Sequence, residues 1–256
     1  MLEIDLNSIA IGGVVFACVF SGALLGIRLR NLLPEPHLST DTKDVVKLAI
    51  ALIATMTALV VSLLISSAKT AYDTRNNELL QTSVDIVTID RLLAHFGPEA
   101  KDSRVLLHSL VEAAIERVWP TDGARPTEID PRGSPAEALY DKIAELVPQT
   151  DTQRALRAQA LNMAMDLGRL RMLLLAQEHS SIPTAFLVVL IFWLTLIFGS
   201  FGLFAPGNAT VTTVFLICSL SVSGAIFLIL ELDRSFEGTI QISSAPLRQA
   251  LAHLGQ

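Results

Sequence analysis

Thr55, Ser62, Ser66, Lys69 and Asp73 follow one another at steps of 7, 4, 3 and 4 residues. On an α-helix those steps place all five on one stripe. Hydroxyl dipoles and one ammonium along a single face offer successive donors to a passing anion, with Lys69 at the mouth. Thr55, Ser62, Ser66 and Lys69 are therefore candidate pore-lining residues. The structural alternative is that the hydroxyls bond backbone carbonyls or a neighbouring helix, while Lys69 pairs with Asp73 at the surface. A second set of charges, Asp73, Arg75, Asp233 and Arg234, flanks apolar segments. Charges at a membrane boundary act as anchors or ion pairs. These four are candidate surface ion-pair residues, with a salt bridge fixing the inner mouth as the functional alternative. Arg169 and Arg171 are two residues apart and so lie on different helix faces. Solvation is the simple reading of both, and attraction of anions by Arg171 is the other.

Other chemistries find no foothold. His37, His95, His108, His179 and His253 are dispersed, and no carboxylate joins one at ligand spacing. No metal site and no cofactor is expected. Cys18 and Cys218 fall inside apolar segments, where free cysteines serve as small packing residues. Neither a glycine-rich phosphate loop nor a serine nucleophile elbow occurs, so no enzyme is expected. The net charge of −6, without a basic patch, gives no reason to expect nucleic acid.

The elements that must hold the stripe are set by hydropathy. Hydrophobic residues make up 51% of the 256-residue chain and charged ones only 17%, below the roughly 25% of soluble domains. Four uncharged apolar segments occur: Ile9 to Gly26, Leu48 to Ile65, Ile182 to Phe204 and Thr210 to Leu230. Each approaches the roughly 20 residues that cross a bilayer core. The partner implied is the lipid bilayer. The flank before the first segment carries Glu3 and Asp5 and no Lys or Arg, unlike a cleaved signal peptide; a retained first span is expected. Gly22 and Gly26 form a GxxxG, which lets helix backbones approach closely in lipid.

No Gly or Pro occurs from Lys47 to Phe96. Span 2 is thus expected to continue as one helix, with Leu80, Val84, Val87, Leu92 and Phe96 buried along its distal part. Ala100 to Val118 carries an amphipathic stripe through Leu107, Leu110, Val111, Ala114, Ile115 and Val118. A loop, 121–134, precedes a short helix opened by Ser134-Pro135 that buries Leu139, Tyr140, Ile143, Leu146 and Val147. From Asp151, Leu156, Ala160, Met163, Leu167, Leu170 and Leu174 make a 4-3-4-3-4 seam leading toward Pro183, a site for a kink. Ser244-Ala245-Pro246 starts a last amphipathic helix. The fold expected is an all-α integral membrane protein: four transmembrane helices with a helical extramembrane bundle inserted between helices 2 and 3. Its parts are a first transmembrane pair (1–65), a soluble bundle continuous with spans 2 and 3 (66–181), a second transmembrane pair (182–230) and a tail (231–256).

Tyr72-Asp73-Thr74-Arg75 past span 2, and Leu232-Asp233-Arg234-Ser235-Phe236-Glu237-Gly238-Thr239-Ile240 past span 4, together with the two-and-two layout, resemble the bestrophin-like family of bacterial membrane proteins, a domain of unknown function. Ser235 stands where that pattern has Pro. The aromatic constriction of bestrophins proper does not carry over, since span 2 has no aromatic residue. The resemblance implies a multi-pass helical protein of the bacterial inner membrane and a homo-oligomer, with a pentamer among the assemblies it allows. It also implies an ion channel passing small anions.

Two arguments about sidedness disagree. The charges around span 1 favour an outside N-terminus. Counting Lys69, Arg75, Arg169, Arg171, Arg234 and Arg248 against Arg28, Arg30, Lys43 and Lys47 favours a cytoplasmic bundle, as does the resemblance, and that is the reading taken. Two functions remain: a homo-oligomeric anion channel lined by span 2, or a non-conducting scaffold or sensor whose soluble bundle binds a partner.

Overall fold

A computed structural model describes residues 8–34, 39–120, 135–176, 182–235 and 240–255, with the side chains of 135–136 and 170–176 left aside. Glu3, Asp5, the loop 121–134, Ser134, Leu170, Arg171, Leu174, His37, His179 and residues 236–239 of the second motif lie outside the described residues or side chains. The described residues form eight α-helices: α1 (Ser8–Leu32), α2 (Thr40–Phe96), α3 (Lys101–Val118), α4 (Pro135–Ala144), α5 (Asp151–Ala176), α6 (Thr184–Phe204), α7 (Ala209–Asp233) and α8 (Ala245–His253). No strand occurs among them. Four helices, α1, α2, α6 and α7, are long and apolar enough to cross a membrane.

Local chemistry sets the helix ends. The Ser39 hydroxyl accepts from the Thr42 amide at 3.4 Å and meets the Thr42 hydroxyl at 2.9 Å at the start of α2. α2 then runs 57 residues, about 85 Å of helical rise. It stops at Gly97, whose φ of 128° suits only glycine, and Pro98 follows. Asn208 caps α7, its side-chain oxygen accepting from the Val211 amide at 2.9 Å. Pro183 is extended (φ −60°, ψ 128°) immediately before α6. It therefore opens a helix, and residues 182–183 are not part of a kinked one.

The chain divides into two compact units: Met1–Tyr72 with Ser180–Arg234, and Asp73–His179 with Ser235–Gln256. In the first, α1 packs between α6 and α7. Its buried Val15, Val19 and Ala23 meet Leu190, Leu194, Ile197 and Phe198 of α6 and Phe215, Ile226 and Ile229 of α7. The closest approach is backbone to backbone. A Cβ on Gly26 would collide with the Gly199 carbonyl, and one on Gly202 with the Ala23 carbonyl. A Cβ on Gly22 would lie 2.8 Å from the Thr195 methyl. Ser223 of α7 donates to the Gly12 carbonyl at 2.5 Å. Arg30 donates to the Ala205 carbonyl at 2.7 Å, closing the other end of the contact. Such small-residue crossings are the main route to tight packing in lipid, where apolar side chains gain nothing over acyl chains.

In the second unit, the distal α2 buries Leu79, Ser83, Ile86, Ile89, Asp90, Leu93 and Phe96. Leu80 and Val84 are exposed, which corrects the face expected from sequence. The buried seam carries Ser83 and Asp90, so following apolar letters alone selected the neighbouring stripe. The stripe on α3 is Ser103, Leu107, Val111 and Ile115; Leu139 and Ile143 of α4 and Leu146 are also buried, but Val147 is exposed, because α4 has ended at Ala144. The C-terminal segment belongs to this unit. Ile242 is fully buried, its amide donates to the Ser235 carbonyl at 2.9 Å, and its carbonyl accepts from the Trp119 indole at 3.0 Å.

Gly26→Val is expected to destabilise the first unit by about 1–3 kcal/mol or more, the usual range for overpacking. Gly13→Ala, which meets nothing within 4 Å, should change stability by less than about 0.5 kcal/mol. Unfolding of purified protein in mixed micelles, followed by far-UV circular dichroism, measures both.

Candidate functional site

The membrane-spanning part of α2 is the least covered of the four spans. Its most apolar window is 11% buried, against 33%, 28% and 33% for α1, α6 and α7. Leu64 and Ala68 reach the core of the first unit, and Thr57 is buried, donating to its own helix at the Ile53 carbonyl. The opposite face is open. Thr55, Ser62, Ser66 and Lys69 all lie on it and are all exposed. The stripe extends further than the polar residues alone indicate. Leu48, Leu52 and Leu59 continue it at heptad spacing and are exposed at 74%, 64% and 68%. The whole register 48, 52, 55, 59, 62, 66, 69 has alternating steps of 4 and 3 residues, the a/d spacing. The signal was present in the sequence as leucines alternating with hydroxyls, but the hydroxyls alone were picked out.

Within the stripe, Thr55 donates to the Ala51 carbonyl at 2.8 Å, the usual local bond of a helical threonine. The Lys69 ammonium lies 5.7 Å from the centroid of the Tyr72 ring, a cation–π contact one turn away. The flanking charges do not form a surface group. Arg75 is 8% exposed and donates to the Ser235 hydroxyl at 3.1 Å, while Asp233 is 3% exposed. Asp73 and Arg234 are half-buried. Ser235 is therefore a buried hydrogen-bond acceptor for Arg75, a role Pro could not fill. Glu231, 2% exposed, was not singled out from sequence; it lies in the last turn of α7 directly after an apolar run, and nothing in its spacing announces burial.

A second site missed from sequence lies in the other unit. Asp90 is 1% exposed, and Arg104 of α3 grips it with two parallel bonds, Nε to Oδ1 at 2.7 Å and Nη2 to Oδ2 at 2.8 Å. The Gly255 amide also donates to Asp90 Oδ2 at 3.3 Å. One carboxylate thus joins α2, α3 and the C-terminal segment. The hydrogen bond to Asp90 raises the Arg104 pKa above its ordinary value, against a smaller opposing effect of burial. A raised pKa means that this stabilisation is complete below the ordinary arginine value and is lost only above it. It is constant throughout the neutral range. Among the described residues no three His, Cys, Asp or Glu side chains gather as metal ligands.

Compared with protein families, residues 17–247 match the bestrophin-like domain. The chain belongs to the bestrophin-like family. The match takes in the first candidate span from residue 17 onward, the other three whole, the Tyr72–Arg75 motif and the Leu232–Ile240 motif. Comparison with curated proteins and with solved structures gives no match.

Arg104→Ala strands the Asp90 carboxylate and is expected to cost about 3–5 kcal/mol, the range for breaking a buried pair from one side. The doubly apolar Asp90→Leu/Arg104→Leu should recover most of that loss. A double-mutant cycle of denaturant unfolding measures the coupling.

Proposed function

We propose that this bestrophin-like protein assembles as a homo-oligomer, in which copies of α2 surround an ion pathway with the stripe Thr55, Ser62, Ser66 and Lys69 facing it. The observation that carries the reading is the uncovered polar face of α2. A lysine and three hydroxyls on an otherwise apolar span are poorly suited to acyl chains, and the leucines between them have the register of a helix-packing seam. Copies of the same helix around an axis would cover the leucines and turn the hydroxyls toward water. With Lys69 at one mouth and only hydroxyls within, the permeant ion is a small anion. The second motif, the family membership and the membrane-proximal charges support a bacterial inner-membrane location, with the bundle inserted between spans 2 and 3 in the cytoplasm. No enzymatic step is assigned to it.

A second reading rests on Thr55, whose hydroxyl is already engaged with its own helix. In that reading α2 packs against copies of itself without conducting, and the soluble helices bind a partner.

Purified protein in nanodiscs should be oligomeric, and proteoliposomes should pass chloride. Lys69→Glu should lower the chloride-to-sodium permeability ratio several-fold, as one reversed charge at a mouth does through its field. A monomer with no chloride flux would remove the channel reading. An oligomer without flux that co-purifies a partner, lost on deleting residues 100–147, would favour the scaffold.

A further inference from the structure

A face of α2 beside the stripe, about a quarter-turn around the helix, carries a separate feature. Lys43, Lys47, Ile50 and Ala54 recur there at steps of 4, 3 and 4 residues. A cleft of about 570 Å³ separates this face from α6 and α7, within the size range of sites that take small organic molecules. It exists because Ala51 and Ala54 on one side fail to fill the space that Phe201, Phe204 and Phe215 wall on the other. Its lining is almost wholly apolar.

One end differs from the rest. Lys47 lines the cleft there. Lys43 lies with its ammonium 5.7 Å from the centroid of the Phe204 ring. Arg30 is fixed at the same end by its bond to the carbonyl of Ala205, a lining residue. Among the described residues near this end, two are acids. Asp44 pairs with Lys47 at 3.1 Å, but both side chains are more than half exposed (62% and 67%), and such a pair is weak enough for another anion to displace. Asp41 is exposed in the first turn of α2. Three cations therefore stand at the end of an apolar cleft that terminates at the edge of the spans.

We propose that this cleft is a binding site for one anionic phospholipid, with an acyl chain between α2 and the α6–α7 pair and the phosphate on Lys47 and Lys43. Apolar walls alone would accept any acyl chain. The cations at one end select a molecule that has both a hydrocarbon tail and a negative head, and lysines reach such heads by extending along apolar surface. The small residues of α2 are then the means by which the cleft stays open, and the aromatic residues of α6 and α7 supply its far wall. This assignment does not require conduction, since none of the proposed pore-lining residues Thr55, Ser62, Ser66 and Lys69 lines the cleft.

The test uses the full chain in nanodiscs of equimolar phosphatidylglycerol and phosphatidylcholine, extracted into mild detergent, with retained lipid quantified by mass spectrometry. Phosphatidylglycerol should be retained in preference to phosphatidylcholine, and Lys47→Gln should lower that preference about five-fold, the effect of one cation beside a charged headgroup. Ala54→Trp, which fills the cleft, should reduce retention of both lipids. Lys47 is exposed, so its variant should fold, and circular dichroism checks each. Equal retention of the two lipids, or a preference unchanged in Lys47→Gln, would overturn the proposal. So would disulfide formation between copies carrying Ala54→Cys with Cys18→Ser and Cys218→Ser, which would give the cleft to a second chain.

Discussion

The membrane unit depends on a contact in which side chains are nearly absent. α1 meets α6 where Gly22, Ala23 and Gly26 face Thr195, Gly199 and Gly202, with the carbonyls of each helix against the glycines of the other. In lipid no hydrophobic gain drives two apolar helices together. What remains is dispersion between closely fitted backbones and the few polar bonds that lipid cannot compete for. Here those are the bonds from Ser223 to Gly12 and from Arg30 to Ala205. With α1 fixed in this way, its other face receives α7. α2 meets the group through little more than Leu64, Ala68 and a line of partly buried residues. The order of tightness follows from side-chain size: glycine where helices touch, alanine where α2 stands off, leucine where α2 is bare.

That gradation separates two roles on one helix. One face of α2 is small and leaves a cleft; the outer face alternates leucine with hydroxyl and is exposed. A span with so little of its surface buried is unusual for a helix that must be positioned by its own chain. The proposed homo-oligomer supplies the missing neighbours, and the proposed lipid fills the cleft.

The helices and spans were legible because hydropathy and helix breakers report directly on them. Span positions, the unbroken run of α2 and the stop at Gly97 all follow from residue types read in order. What escaped was pairing at a distance. Nothing local to Asp90 indicates that Arg104 will meet it, and the Ser83 and Asp90 seam reads as polar until a partner helix is in place. Gly22 and Gly26 advertised a close approach, but the matching Gly199 and Gly202 were not connected to them. For the candidate site, spacing gave the stripe correctly as a stripe. Spacing cannot give burial, so Arg75 and Asp233 were taken for surface charges when they are enclosed.

The bond between Arg30 and Ala205 spans 175 residues of sequence. That separation sets a schedule for biosynthesis. At roughly 5–20 residues per second, α1 waits about 10–35 s for α6 to be made. During that interval its glycine face has no partner and its backbone is open to other helices in the membrane. α6 and α7 have no such wait. The turn between them, 205–208, carries no charge, so their insertion as a hairpin avoids the roughly 3 kcal/mol that each charged residue adds at the centre of a span. The last spans to be synthesised are therefore the ones that complete the first.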